Sequence, residues 1–203
     1  NSEYPIVELG DICEVISGQS PESQYYNDNE DGMPFYQGKT EFTNKYLGVP
    51  KKWTTMVTKK SIVNDIVMSV RAPVGPVNIV KTEICIGRGL AAIRCKENLK
   101  PDFLFYMLKS IENEINGNSG STFSSINRMD IEKIKIPLPP LQIQEEIVKE
   151  IESYQKIIDG ARQVVDNYKP TIKIDPNWEM VKVGNVVEFV SGVTLSVGEC
   201  EDQ

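Results

Sequence analysis

The sequence predicts an α+β protein: a mixed α/β domain with a β-rich core, followed by a long projecting coiled-coil helix. Three observations predict it. Short apolar runs of strand length, cut by Pro, Gly and Asn-Asp turn signals, recur between residues 33 and 94. Helical patterning gathers after Pro101, behind the strands. Apolar residues then repeat in heptads from Ile147 to Tyr168.

The elements follow in order. Residues 19–34 are polar and turn-rich, which predicts a loop, and Met33 to Tyr36 begins an extended segment. Asn64-Asp65 marks a turn into a buried strand ending at Val70. Arg71-Ala-Pro-Val-Gly-Pro76 is a Pro/Gly loop that excludes helix. Val77–Val80, Ile84–Ile86 and Leu90–Arg94 read as short strands. Pro101 opens a helix over Phe103 to Ile115, Pro being suited to a first turn. Residues 116–125 are a donor-rich loop, Ile126 to Ile134 holds a short helix, and Ile134 to Pro137 a strand.

Pro139-Pro140 starts the clearest element. Ile147, Ile151, Tyr154, Ile158, Ala161, Val165 and Tyr168 recur at steps of 4, 3, 4, 3, 4, 3, an a/d seam over three heptads. A helix over 140–168 spans about 43 Å at ~1.5 Å per residue. Its seam requires an apolar partner: another helix of the same chain, one in a second copy, or one in another protein. Gly160 is its weak point, at about 1 kcal/mol against Ala. Lys169-Pro170 ends it, and residues 169–177 read as a linker.

The chain carries a net charge of −7 without a single His. The missing imidazole excludes Ser-His-Asp and Cys-His catalysis and His-ligated zinc. Cys13, Cys85, Cys95 and Cys200 form no C-x-x-C pair and are too sparse for a disulfide framework, so reduced thiols are expected. The absence of a long apolar run and of a signal peptide predicts a soluble cytoplasmic protein with no membrane association. The chain does not begin with Met, so a piece of a longer protein is expected.

Charge is segregated. Residues 1–38 hold eight acids and no base, whereas residues 39–100 hold twelve bases and four acids. In that basic block Phe42, Tyr46 and Trp53 lie among Lys39, Lys45, Lys51, Lys52, Lys59 and Lys60. Basic residues interleaved with aromatics suit a phosphate-contacting surface. The same lysines would equally suit a solvated face paired with the acids of residues 1–38.

Residues 4–18 recur at 178–192, with Val7/Val181, Gly10/Gly184, Glu14/Glu188, Ser17/Ser191 and Gly18/Gly192 identical. Residues 175–203 therefore read as the opening of a second copy of a duplicated domain, cut off after 29 residues and expected to pack poorly. In both copies Asp11 or Asn185 is placed to cap a short helix, although the stretch also alternates like a strand.

Motifs that imitate enzymes do not hold. Gly38-Lys39-Thr40 lacks P-loop spacing, and Gly87-Arg88-Gly89-Leu90-Ala91-Ala92 runs into strand-like residues where a dinucleotide site needs a helix. Asp175-Pro-Asn-Trp178 reads as linker, and no carboxylate pair is spaced for acid/base work. A binding protein without a metal site is expected.

The residues resemble the specificity (S) subunit of type I DNA restriction-modification systems. The strongest marker is I-P-L-P-P-L-Q-I-Q-E-E-I-V at Ile136–Val148. F-Y-Q-G-K-T at Phe35–Thr40, R-A-P-V-G at Arg71–Gly75, I-G-R-G-L-A-A-I at Ile86–Ile93 and G-S-T-F-S-S-I-N at Gly120–Asn127 follow the family pattern in order, as does the repeated opening. The resemblance implies a DNA target-recognition domain over 1–138. A conserved spacer or dimerisation helix follows over 139–169. Residues 170–203 are then linker and truncated start of a second recognition domain.

It also implies recognition of double-stranded DNA, reading half of a bipartite site, and docking of an adenine-N6 methyltransferase (M) subunit. The restriction (R) subunit is an indirect partner, and the helix offers a route to a homodimer. The S subunit performs no chemistry and holds no cofactor. S-adenosylmethionine belongs to the methyltransferase, and ATP with Mg²⁺ to the restriction subunit. Similar domains also end fused nuclease-methyltransferases, and a coiled-coil interaction protein that binds no DNA is the remaining alternative.

Candidate base readers are Gln37, Arg71, Arg88 and Asn127, because Arg can be bidentate to guanine and Gln or Asn to adenine. Lys39, Lys51, Lys52, Lys59 and Lys60 are candidates for phosphates, with Ser121, Thr122 and Ser124 as further donors.

Overall fold

The computed structural model describes residues 3–115, 125–169 and 175–188. It divides into two units, Asn1–Asp159 and Gly160–Gln203.

The first unit is a mixed α+β domain built on short strands. β1 (Ile6–Glu8) leads into a single helical turn, α1 (Leu9–Ile12), and then β2 (Cys13–Ser17). The helical turn thus precedes the expected position. Asp11 lies within it, and the residue at its N-cap is Glu8, whose side chain makes no capping bond. The alternating run that follows forms a strand.

Next come β3 (Tyr26–Asn27), β4 (Met33–Tyr36), β5 (Lys52–Thr54), β6 (Lys60–Ser61), β7 (Ile66–Ser69), β8 (Val77–Ile79), β9 (Ile84–Ile86) and β10 (Leu90–Cys95). The helices α2 (Pro101–Ser110), α3 (Glu112–Ile115) and α4 (Arg128–Glu132) follow, then β11 (Lys135–Pro137) and α5 (Leu141–Asn167). The expected helix over 103–115 is therefore two pieces, α2 and α3. β3, β5 and β6, at two or three residues each, are too short to show alternation.

Strands join in three sheets, ordered β1-β11, β2-β10-β7-β8 and β3-β5-β4-β9-β6. The period of two sorts the core. On β7 and β10, Ile66, Met68, Ala91 and Ile93 face one cluster with Phe103, Leu104 and Leu108 of α2. Val67, Leu90 and Ala92 face the other cluster, with Tyr36, Ile84 and Ile86 of the five-stranded sheet. The four-stranded sheet is thus covered on both faces, which explains why its strands read as continuous apolar runs.

The start of α5 belongs to the first unit. Ile147 and Val148 pack against the α2 cluster, and Gln144 is fully buried. Lys45 bridges Asp102 of α2 and Glu152 of α5, at 2.6 Å each. Burial alone would lower the Lys45 pKa, but the bonds to Asp102 and Glu152 outweigh it and raise it above the ordinary lysine value. The ammonium therefore stays charged well into the alkaline range.

In the second unit, Gly160 faces open space, with nothing near the position a Cβ would take. Gly160→Ala should raise stability by about 1 kcal/mol through helix propensity alone, read from a thermal or urea unfolding curve. A loss of stability would show that this stretch does not act as a simple helix interior. Val183–Asn185 form a 3₁₀ turn at the repeat positions matching α1.

Candidate nucleic-acid interface

The sheet register brings candidate residues from distant parts of the chain to one edge. β4 runs parallel to β9, pairing Tyr36 with Ile86, so Gln37 and Gly87 both continue past the same end of the five-stranded sheet. β5 and β6 run the other way, pairing Phe35 with Lys52 and Lys60 with Cys85. Lys51 and Lys59, each one residue before its strand, therefore lie at that end too. The Lys59 carbonyl accepts from Ile86 N–H at 2.9 Å, and Tyr36 Oη donates to Gly48 O at 2.8 Å, holding the loop before Lys51. Burial, with help from Glu41, pushes the Tyr36 pKa up to about 12, so this hydroxyl stays a neutral donor.

The four-stranded sheet ends at the same place. β9 and β10 are joined by a tight turn in which Leu90 N–H donates to Gly87 O at 3.0 Å. Arg88 stands at the apex of this turn, exposed between two buried glycines. Arg88 N–H donates to Ser20 Oγ at 3.2 Å, and Gly87 N–H donates to Tyr36 O at 2.8 Å. Val70 N–H donates to Gly89 O at 3.0 Å, which places Arg71 beside the turn. A Cβ on Gly89 would strike the Gln37 carbonyl, and one on Gly18 would strike the Gly87 carbonyl. Close backbone approach thus explains the glycine of the Ser17-Gly18 pair. Gln37, Arg71 and Arg88, far apart in sequence, share one edge where both sheets end.

A family model described as the type I restriction modification DNA specificity domain matches residues 1–165. The chain belongs to this family.

The specificity domain is 43% identical over 165 residues to the MjaX type I restriction enzyme specificity subunit of Methanocaldococcus jannaschii, covering 79% of this chain and 39% of that protein. It is similar to a chain solved in a study of complex assembly and conformational transition of the type I R-M system. The TM-score is 0.74 at 37% identity, over 81% of this chain and 41% of that one. The HsdS subunit of Thermoanaerobacter tengcongensis gives a TM-score of 0.71 at 36% identity, over 81% and 40% of the two chains. The specificity domain chain therefore spans about two fifths of these relatives, at 39%, 41% and 40% of their lengths.

Within the specificity domain, the two Lys-Lys pairs divide in the same way. Lys52 is tied to Asp28 at 2.7 Å and Lys60 to Glu83 at 3.0 Å. Lys51 and Lys59, the members nearer the sheet end, are exposed and form no ion pair among the described residues, and the same is true of Lys39, Arg71 and Arg88. Arg94, a base of the same block, is spent inside the protein on Asp65 and Glu14. Some of the block's bases are thus engaged by acids of the chain, and others stand exposed without an ion pair among the described residues.

Lys39 lies in a 3₁₀ turn, Lys39–Glu41, directly after Gln37-Gly38. Gln37 Nε2 lies 3.3 Å from Tyr26 Oη and remains exposed. Asn127 has a structural task. Its Oδ1 accepts from Met129 N–H at 2.8 Å and Asp130 N–H at 3.2 Å, and Asp130 returns a bond to its backbone, a capping box that starts α4. The Asn-x-x-Asp spacing carries that signal in the sequence. Ser121, Thr122 and Ser124 lie outside the described residues. The next residue, Ser125, bridges to Arg71.

The heptad residues also divide. Ile147 packs on the core and Ile151 is half-buried, whereas Tyr154, Ile158, Ala161, Val165 and Tyr168 are exposed. Tyr168 lies one residue past the end of α5. Gln144, the glutamine of the Pro-Leu-Pro-Pro-Leu-x-x-Gln run, went unmarked as a functional candidate. Its Oε1 accepts from Lys100 N–H at 2.9 Å, and its Nε2 donates to Asn98 O at 3.0 Å and Pro139 O at 2.9 Å.

Among the described residues no cluster of His, Cys, Asp or Glu could hold a metal ion. Cys13 and Cys95 face each other across β2 and β10. Their mutual hydrogen bond, together with burial, raises the Cys95 pKa, so this thiol is a poor nucleophile. No helix of the described residues is long and apolar enough to cross a membrane.

Proposed function

We propose that this chain is a sequence-specific double-stranded DNA recognition module of a type I restriction-modification system. It reads one half of a bipartite site and docks an adenine-N6 methyltransferase subunit, with the restriction subunit as an indirect partner. The observation that carries this is the meeting of Gln37, Arg71, Arg88, Lys51 and Lys59 where both sheets end, without acidic partners within the described residues. The Arg71 and Arg88 side chains have no partner among the described residues and the Gln37 amide donates only to Tyr26 Oη, so they are available to base edges, and the flanking lysines to phosphates.

Residues 1–138 form the recognition domain in this reading, and 139–169 the spacer helix. Its exposed Tyr154, Ile158 and Val165 form the half of a coiled-coil seam that awaits a second helix, including one from another copy of the chain. Residues 170–203 begin a second recognition domain. The module performs no chemistry. S-adenosylmethionine belongs to the methyltransferase, and ATP with Mg²⁺ to the restriction subunit.

A salt titration of DNA binding tests the interface. Lys51→Ala/Lys59→Ala should weaken binding by roughly ten- to a hundredfold and lower the slope of log K against log salt by about 2, one counterion for each phosphate contact. Lys52→Ala/Lys60→Ala removes the same charge but takes lysines already engaged by Asp28 and Glu83, and should change affinity by less than about threefold. Equal losses in the two variants would mean that net charge alone drives binding and would reject the interface.

A further inference from the structure

The repeated opening ends in Ser17-Gly18, and Gln19 and Ser20 follow it at the end of the sheets. We propose that Gln19 is a base-reading residue of the interface and that Ser20 positions the Arg88 turn beside it. This rests on the proposed reading of DNA.

Gln19 has its backbone spent on both sides. Its N–H donates to Ile86 O at 2.9 Å, and its carbonyl accepts from Thr58 Oγ. The first bond ties it to the last residue of β9, the second to the residue before Lys59. Its side chain is exposed and makes no hydrogen bond among the described residues. A long amide is thus mounted on a fixed root, between the Arg88 turn and Lys59. That is the arrangement in which glutamine can be bidentate to adenine, because little backbone freedom remains to be lost on binding.

Ser20 acts through another residue. Its hydroxyl accepts Arg88 N–H at 3.2 Å and lies 2.9 Å from where a Cβ on Gly87 would stand. It therefore fixes the apex of the turn from the β2 side, while Val70 fixes it from β7. Arg94 supplies the contrast. It lies on β10, the strand that follows the turn, and its guanidinium is held by Asp65, whereas Arg88 is held only through its backbone. The anchoring sets where the Arg88 guanidinium begins and leaves its donors to a ligand.

The repeat extends the argument. At the offset that aligns Gly18 with Gly192, Gln19 aligns with Val193 and Ser20 with Thr194. The hydroxyl is kept and the neighbouring side chain changes from an amide to an apolar group. A positioning role requires the hydroxyl in both copies. A reading role permits the change, because valine suits a thymine methyl where glutamine suits adenine.

Selection from a pool of random duplexes, with the full 203-residue chain, tests the proposal. The unaltered chain should enrich a short motif. Gln19→Ala should flatten preference by about tenfold at one base pair of that motif and keep the rest. Gln19→Glu, which keeps the side chain's shape, should lose the same preference and serves if the alanine variant does not fold. Ser20→Ala should blur the adjacent position, and Ser20→Thr should restore it. An unchanged motif with Gln19→Ala, or an even loss at every position, would overturn the role of Gln19 while leaving DNA reading intact. A failure of Ser20→Thr to rescue would overturn the role of Ser20. If the unaltered chain enriches no motif, the proposed function fails, and this inference with it.

Discussion

Arg94→Ala is expected to lower the unfolding free energy by about 3–5 kcal/mol, the cost of leaving a buried carboxylate without its counter-charge. Asp65 is only 1% exposed. Arg94 grips it with Nε and Nη2, both at 2.9 Å, while Ser61 Oγ and Ile62 N–H donate to the same carboxylate at 2.9 and 2.8 Å. The two-pronged fork matches a carboxylate in a way that an ammonium cannot. Arg94→Lys should therefore recover only part of the loss. The group also closes the turn into β7, since Val80 N–H donates to Asp65 O at 2.9 Å and Asn64 N–H to Val80 O at 2.9 Å. Urea unfolding at unchanged m-value is the measurement. A loss below about 1 kcal/mol would place the pair among ordinary surface ion pairs and reject this account.

Gln144→Ala should cost about 3 kcal/mol, because three backbone groups lose their partner in the interior at about 1–3 kcal/mol each, with partial relaxation. Lys100 N–H, at the N-cap of α2, has no acceptor within the helix and donates to Gln144 instead, and the Asn98 and Pro139 carbonyls flank the α2–α5 junction. One side chain answers all three, and so joins the first turn of α5 to the first turn of α2. Gln144→Met fills the volume and should still cost most of this, which separates lost hydrogen bonds from a cavity. Gln142→Ala, two residues away on the exposed face and bonded only to Glu146, should stay within about 0.5 kcal/mol. Hydrogen exchange should show lost protection in the first turns of α5 for Gln144→Ala alone. Similar losses for Gln142→Ala and Gln144→Ala would contradict the bracket.

Much of the fold was legible. Proline and glycine placed the loops, continuous apolar runs exposed the longer strands, and the heptads located α5. The errors have physical reasons. α1 was displaced because a turn glycine inside a short helix resembles one in front of it. β3, β5 and β6 were invisible because two or three residues carry no period. The capping role of Asn127 was missed because it sits in a polar loop motif, although Asp130 three residues on marks it as a cap. The basic block marked a run of lysines but not which of them the chain's own acids engage. Nothing local distinguishes Lys51 from Lys52, or Lys59 from Lys60.

Composition and spacing by themselves determined what can be read along the chain: the absence of imidazole, the segregation of charge, the heptad helix and the repeated opening. Tertiary structure decided which polar groups are used up. Asp28 meets Lys52, Asp65 meets Arg94, and Gln144 meets Lys100 across 24, 29 and 44 residues. A charge or an amide is spent or available according to what stands within about 3 Å of it. That neighbour is set by strand register and helix docking, which a linear spacing does not contain.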